Sequence, residues 1–594
     1  MTSPPVTPSP DTQSGFNWRM AALFAVAGAL WRIAFIYTGC SIMNGDQAIF
    51  GIQAQHIWLG KFPLYFTGQH YLFPVESYFV ALMRLVTVQI TPLTLKLVAI
   101  LEMLVYVLTL YGLLNTLLGS KRLATTAALL ALLAPAYFTQ MSVALNFLPT
   151  LILGQLMLWL AALTVKEEDE QKLRRKLAAL AALAGFAWFQ YPFVAPYIAS
   201  TFAILLLFDA DGQRRLIRHI AGERPLLQGA AALPYLVIFF FMLPFTWNDK
   251  FMAWRNLFQI ALLCWIPLGA LALLWDEWLA LKKPGRLPLP AARLLVYCSI
   301  GIMPQLIYIF LRDDVWYAGK LALGPNVESS FYGLLLSDIP IIAGPLRIGL
   351  FLQNPLPPPV NLLLLIALFA LIGMSLIATL RRKPDESGAL NRRGVLLILI
   401  HAAVCIGLKL VSENSNAIYP RHLLTLYTAL FALLAIMIQE FRLLSRHAGA
   451  TALAIMITVH AFFTFIPRDE KILPISMWPV QVHIAAQAMR AENLHAAFCP
   501  YYDFAYPLLF ALGPGYDIAP RRHHDRFPEL TQKLQSHKDF AIFLRPYATQ
   551  SYPRDAMLTY DEKKLGEWNM LYNFRYDGRP ITFAQLHEFM PGLP

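Results

Sequence analysis

RMAALFAVAGALWRIAFIYTG (19–39) runs, after three residues, into MNGDQAIFGIQAQHIWLGKFPLYFTGQHYLFPVESY (43–78). The first block has the length that crosses a hydrocarbon core, about 20 apolar residues. The second places Asp46, His56, Lys61, several aromatics and Glu76 beside the surface just reached. The first block bears on fold class, the second on chemistry.

The apolar signal extends along the chain. Its 594 residues are 57% hydrophobic and 14% charged, with a mean hydropathy of +0.51. A soluble protein would carry about 25% charged residues. Blocks such as NLLLLIALFALIGMSLIATL (361–380) repeat the pattern. The chain therefore reads as a polytopic, all-α membrane protein. The first block has no small-residue cleavage site behind it and reads as a retained span. The leader, residues 1–18, is rich in Pro, Ser and Thr and reads as a disordered cytoplasmic segment.

A net charge of +12 would suit nucleic acid, but its placement does not. Basic residues cluster in alternate loops: Lys121/Arg122, Arg174/Arg175/Lys176, Arg214/Arg215/Arg218, Lys282/Lys283/Arg286, Arg381/Arg382/Lys383 with Arg392/Arg393, and Arg442/Arg446. This is the positive-inside pattern of a membrane protein. No nucleic-acid partner is expected. The five scattered cysteines form neither a metal motif nor a disulfide framework.

Thirteen spans are expected near 20–41, 94–118, 123–140, 147–165, 177–191, 193–208, 226–245, 256–275, 293–311, 361–380, 394–411, 422–439 and 449–466. The pair at 177–208 has just enough apolar residues for two short helices turning at Pro192, and two spans keep the later basic clusters on one side. The transmembrane region is then 19–466, with outer-face loops at 43–90 and 312–360. Residues 467–594 turn polar and aromatic and mix strand-like pieces (495–502, 540–546) with helical ones (479–494, 528–535), so a small extracytoplasmic α/β domain is expected.

In 43–78, Asn44 and Gln47 fit a capping box, with Asp46 in the first helical turn. Ile49, Ile52, His56 and Leu59 share one face, which suggests an amphipathic helix on the membrane surface. A turn at Gly60–Pro63 and an aromatic strip (Tyr65, Phe66, Tyr71) follow, and Pro74 opens a second helix with Glu76 in its first turn. Two readings stay open on these local features. The carboxylates can be helix caps and the aromatics an interfacial belt. Alternatively, the two helices frame a cleft in which Asp46 and Glu76 offer a general base and Lys61 meets a phosphate. Glu102, within the second span, is either functional or a buried helix-holding group. Asp313/Asp314, Arg521/Arg522/His523/His524, His483 and His495 read as solvated residues. Nucleophile motifs, phosphate-cradling Gly loops and HExxH are absent from the sequence.

GDQA (45–48), GKFPLYFTGQ (60–69), PVESY (74–78), LAGFAWFQYPFVAPYI (183–198), GAAALPYLVIFF (229–240), DIPIIAG (338–344) and YPRHLLTLYTALFALLA (419–435) form an ordered set. The set resembles the GT-C membrane glycosyltransferases, most closely the bacterial family 39-type branch of protein O-mannosyltransferases and lipid A aminoarabinose transferases. The resemblance covers nearly the whole chain. It implies a GT-C fold of about 13 transmembrane helices with the C-terminal α/β domain, in the bacterial inner membrane. It implies an enzyme moving a hexosyl or pentosyl group from a polyprenyl-phosphate donor to a glycolipid, polysaccharide or protein acceptor at the outer face. Asp46 and Glu76 would be catalytic; Lys61, Arg421, Tyr65, Gln69, Tyr71 and His56 would bind donor or phosphate; Glu102 would be an intramembrane candidate. Gln47 stands where many relatives carry a second acidic residue, so the metal ligands are unknown and a divalent metal stays open. The alternative is a transporter or flippase of a polyprenyl-linked glycan. It would line its path with charges through the membrane depth, whereas here the polar candidates gather at the outer face, with Glu102 the main exception.

Overall fold

The computed structural model describes residues 18–37, 43–67, 72–133, 136–143, 147–221, 271, 278, 282, 290–311, 358–383, 390–410, 420–465, 477–521, 525–545 and 557–589. Its helices are α1 (Trp18–Tyr37), α2 (Gly45–Trp58), α3 (Val75–Thr87), α4 (Pro92–Leu118), α5 (Lys121–Leu133), α6 (Ala136–Ser142), α7 (Leu148–Val165), α8 (Glu170–Gln190), α9 (Ala195–Leu207), α10 (Ala210–Ala221), α11 (Pro290–Leu311), α12 (Pro358–Arg381), α13 (Arg392–Leu410), α14 (Tyr427–Leu444) and α15 (Arg446–Thr464), then α16 (Val480–Ala491), α17 (Tyr502–Leu512), α18 (Pro528–Leu534) and α19 (Phe583–Phe589). Among the described residues, helices occupy every expected span position except 226–245 and 256–275. Those two fall outside the described residues almost entirely, as does the loop 312–360, so the full count of thirteen is not on view. Among the described residues four segments, Pro92–Leu118, Leu148–Val165, Arg392–Leu410 and Leu423–Leu444, are long and apolar enough to cross a bilayer, and the chain is a multi-pass membrane protein.

Local chemistry explains the breaks. Thr91 and Thr94 form a capping box around Pro92 at the start of α4, and Gly119 in the left-handed region (φ 71°) ends it. The expected span 123–140 is two helices, α5 and α6. The buried Arg32 of α1 lies across the end of α5: it donates to the Leu132 carbonyl (2.7 Å) and, through Nε, to Ser142 Oγ of α6 (2.9 Å). A charged fork so placed satisfies carbonyls that the break would orphan in lipid.

The stretch 177–208 does turn back on itself. At one end Thr150 of α7 donates to Gln190 of α8 (2.7 Å). Tyr197 of α9 then fills the space beside Gly154, and at the other end of α7 Lys166 lies 5.0 Å over the Phe208 ring. α9 therefore returns along α7 to the level at which α8 began.

The C-terminal residues form a mixed sheet of β1 (Ala496–Phe498), β2 (Asp517–Ala519), β3 (Phe540–Leu544), β4 (Leu558–Leu565), β5 (Trp568–Tyr576) and β6 (Arg579–Pro580). The order is β2-β1-β3-β5-β4, with β6 beside β5. β1 pairs in parallel with β2 and β3, while β5 runs antiparallel to β3 and β4. The expected strands begin at β1 and β3 and the expected helices match α16 and α18. Tyr502, placed in a strand by its aromatic neighbours, instead opens α17.

This sheet domain is not tethered loosely. Ile49 and Phe50 of α2, Val80 of α3 and Val98 of α4 share one hydrophobic cluster with Val482, Phe504, Phe510 and Met570 of the domain. That corrects one expectation. α2 does not turn its apolar face outward: Gln47 to Ala54 are all buried, and α2 is sandwiched between α3, α4 and α17. The exposed apolar face belongs to α3, where Phe79, Leu82, Leu85 and Val86 point away from the protein. Arg84 folds back over Trp58 at 4.5 Å. α3 is thus the helix with the pattern of an interfacial element.

Candidate functional site

The first turn of α2 meets the first turn of α17. Asn44 caps α2 by accepting from the Gln47 backbone N–H at 2.9 Å. Asp503 of α17 accepts from the Gly45 N–H at 2.9 Å. In return, the Tyr502 hydroxyl donates to Asp46 Oδ1. Two helix N-termini therefore exchange polar groups, and each gains a carboxylate suited to its positive end. Gly45 makes the approach feasible, since a Cβ there would lie 2.2 Å from the Tyr502 ring. Six residues on, a Cβ at Gly51 would lie 2.5 Å from Phe510. Glycine at both points lets the helices cross in contact.

Asp46 is half-buried, and among the described residues its second oxygen has no hydrogen-bond partner. Tyr502 is mostly buried. Burial, and then the adjacent Asp46 charge, raise its pKa above the ordinary phenol value, so it remains a donor at physiological pH. Arg526 lies near enough to act on Tyr502 and Tyr506 electrostatically. On the bundle side, Gln47 does not present its side chain to the Asn44 cap. Its Oε1 accepts from Lys96 Nζ at 3.0 Å, and Lys96 also donates to the Val143 carbonyl at 3.0 Å. A lysine amine thus sits beside the neighbour of Asp46, in the place where a second carboxylate would have made an acidic pair. Among the described residues no three His, Cys, Asp or Glu side chains come together.

The other expected residues are spread along α2 and beyond. Glu76 is fully buried and lies close enough to Glu102 of α4 for the two carboxyls to interact electrostatically. It does not open into a shared cleft with Asp46. The next residue, Ser77, donates to Gln53 (3.3 Å), seven residues along α2 from Asp46, or about 10 Å at 1.5 Å per residue. Gln53 in turn donates to the carbonyl of Tyr65 at 2.9 Å, and the Tyr65 ring is buried, packed edge-on to Phe189 at 6.0 Å. His56 is half-buried against Phe527 of the domain (6.4 Å); burial and then Lys61 lower its pKa. Lys61 is exposed beyond the Gly60 turn, at the end of α2 remote from Asp46. Gln69, Tyr71 and the side chain of Arg421 lie outside the described residues; the backbone at Arg421 belongs to a 3-10 turn, Pro420–Leu426, leading into α14.

Tyr502, Asp503 and Lys96 escaped the sequence reading. The Tyr501-Tyr502-Asp503 cluster straight after a strand-like run was the available signal for the first two. Lys96 offered only a cation one turn inside an apolar block.

No protein-family model and no curated protein matches the sequence. Solved structures do resemble the fold. ArnT from Cupriavidus metallidurans bound to undecaprenyl phosphate superposes with a TM-score of 0.52 at 11% identity, over 94% of this chain and 98% of that one. The Archaeoglobus fulgidus oligosaccharyltransferase in its apo form gives 0.43 at 12% identity, over 90% and 70%. The first likeness runs nearly end to end in both chains, and the fold is of the GT-C type.

Proposed function

We propose that this protein is a glycosyltransferase that moves a sugar from a polyprenyl-phosphate donor to an acceptor hydroxyl at the domain end of the bundle, with Asp46 as base. The observation that carries the reading is the placement of Asp46. In an ArnT-like fold, one of its oxygens is held by Tyr502 from a separate domain and the other is left to accept a proton. The ArnT structure holds undecaprenyl phosphate, the class of donor lipid invoked.

The acceptor oxygen forms a bond to the anomeric carbon as that carbon's bond to the phosphate oxygen breaks. The acceptor proton passes to Asp46, and the electron pair leaves with polyprenyl phosphate. One displacement inverts the anomeric centre. Positioning and charge balance supply the catalysis. Tyr502 fixes the carboxylate, while Arg526, near enough to act on Tyr502, adds positive potential beside it. The 14 residues of α2 span about 20 Å, so Lys61, beyond its far end, is not assigned to the phosphate in this reading. Glu76 and Glu102 form a buried pair supporting α3 and α4. The domain end would face outward from a bacterial inner membrane, with 467–594 extracytoplasmic and basic loops such as Arg122 and Arg442 cytoplasmic, as the alternation of charge favours.

The test is transfer in vitro from a panel of polyprenyl-phosphate sugars. Asp46→Asn should lower turnover about 10²–10⁴-fold, the usual worth of a general base, while Lys61→Ala stays near wild type. Undiminished transfer by folded Asp46→Asn would remove the base. Movement of labelled lipid-linked glycan across vesicles with no transfer would mean a flippase instead.

A further inference from the structure

At the far end of the bundle from Asp46, a cleft of about 480 Å³ opens between the start of α5, the end of α14 and the start of α15. α4 has 27 residues, so this end is about 40 Å from the domain junction. The cleft is lined by Arg122, Arg442 and Arg446, with the polar side chains of Ser120, Thr126 and Gln439. Ile438 and Leu453 supply an apolar wall. Gly449 brings α15 close to α14, where a Cβ would lie 2.6 Å from Arg442 Cβ, so Arg442 and Arg446 are held around one opening.

The cleft is basic throughout. Three other cations at this end are matched by acids: Arg382 makes a two-pronged pair with Glu440 (2.8 and 2.9 Å), Lys176 pairs with Glu167 (2.6 Å) and Arg174 with Glu170 (3.1 Å). No carboxylate lines the cleft, and among the described residues none of its three guanidiniums has a hydrogen-bond or ion-pair partner. Glu440, two residues before Arg442, is already held by Arg382 and Thr379. Residues needed only to set topology would not have to converge on a concave, acid-free opening.

We propose that this cleft binds the headgroup of an anionic glycerophospholipid. A phosphodiester would be gripped by the guanidinium forks, which match phosphate oxygens in pairs, and its acyl chains would leave along the apolar wall into the bilayer. A free phosphate ester shares the anionic chemistry but makes no use of that wall. The site stands independently of glycosyl transfer.

The full chain in nanodiscs of phosphatidylcholine is compared with nanodiscs containing phosphatidylglycerol, by thermal melting and by native mass spectrometry of retained lipid. Phosphatidylglycerol should raise the melting temperature and co-purify. The Arg442→Gln/Arg446→Gln pair should weaken its binding on the order of tenfold or more, as two lost headgroup contacts imply. The Arg442→Lys/Arg446→Lys pair keeps the topological charge and should lose part of the affinity, because an ammonium lacks the fork. The paired-arginine control Arg174→Gln should respond as wild type does. An equal response of the Gln pair and wild type, or an equal shift with phosphatidylcholine, would overturn the site. A shift with soluble glycerol phosphate as large as with the lipid would overturn its assignment to a lipid.

Discussion

The two ends of α2 are about 20 Å apart and live in different surroundings. At its start, Asp46 is tied to Tyr502 and Gly45 to Asp503, within a junction both helices close by glycine contact. At its end, Lys61 is exposed and His56 rests half-buried on Phe527 without a hydrogen bond between them. Residues that appear as one polar patch in the sequence are thus divided into a held end and an open end. A helix separates by distance what a sequence interval brings together. A group is useful for chemistry when its geometry is fixed, and here the second domain hydrogen-bonds to the carboxylate at the start of α2 and leaves Lys61 beyond its end exposed.

The comparison can be broken in steps beyond the Asp46 substitution. Tyr502→Phe keeps the ring packing and removes one hydrogen bond to a carboxylate, a contact of about 1.5–3 kcal/mol. Turnover should fall roughly 10- to 100-fold with KM little changed. If kcat is untouched, Asp46 does not depend on the domain for its position. Gly45→Ala forces a methyl into the Tyr502 ring and should destabilise the junction by about 1–3 kcal/mol. The readout is limited proteolysis of the domain together with melting in detergent; wild-type behaviour in both would mean the helices are not in contact there.

The smallest effect belongs to the open end. Burial, then Lys61, lowers the His56 pKa in the folded chain below its ordinary 6.5. The unfolded chain then binds the proton more readily. The stabilising contribution is complete above about pH 6.5 and lost as pH falls through the lowered folded value. Melting from pH 7.5 to 5.5 should be slightly steeper for wild type than for His56→Gln; identical slopes would show that His56 titrates as it would in water.

Composition and period were enough for most of the bundle. Long apolar blocks, Pro92 after Thr91 and Gly119 mark α4, because helix starts and stops depend on local hydrogen bonding. The reversal at 177–208 was legible from the position of basic clusters, and the strands at 496 and 540 from their apolar and aromatic runs. What failed was the environment of α2. A period of 3.6 with apolar residues on one face describes a helix against lipid and a helix against protein equally well. Only the arrival of α17, more than 450 residues later, decides between them.

The same division holds for the site. The sequence alone determined that this chain crosses a membrane repeatedly, that it ends in a small α/β domain and that Asp46 stands at a helix start, since hydrophobic length, periodicity and capping are local properties. The tertiary structure alone decided that Tyr502 reaches Asp46, that Lys96 occupies the place beside Gln47, that Glu76 is buried against Glu102 and that Lys61 stands apart. Those are contacts between residues distant in the chain, set by how side chains and helices pack, and no local pattern encodes them.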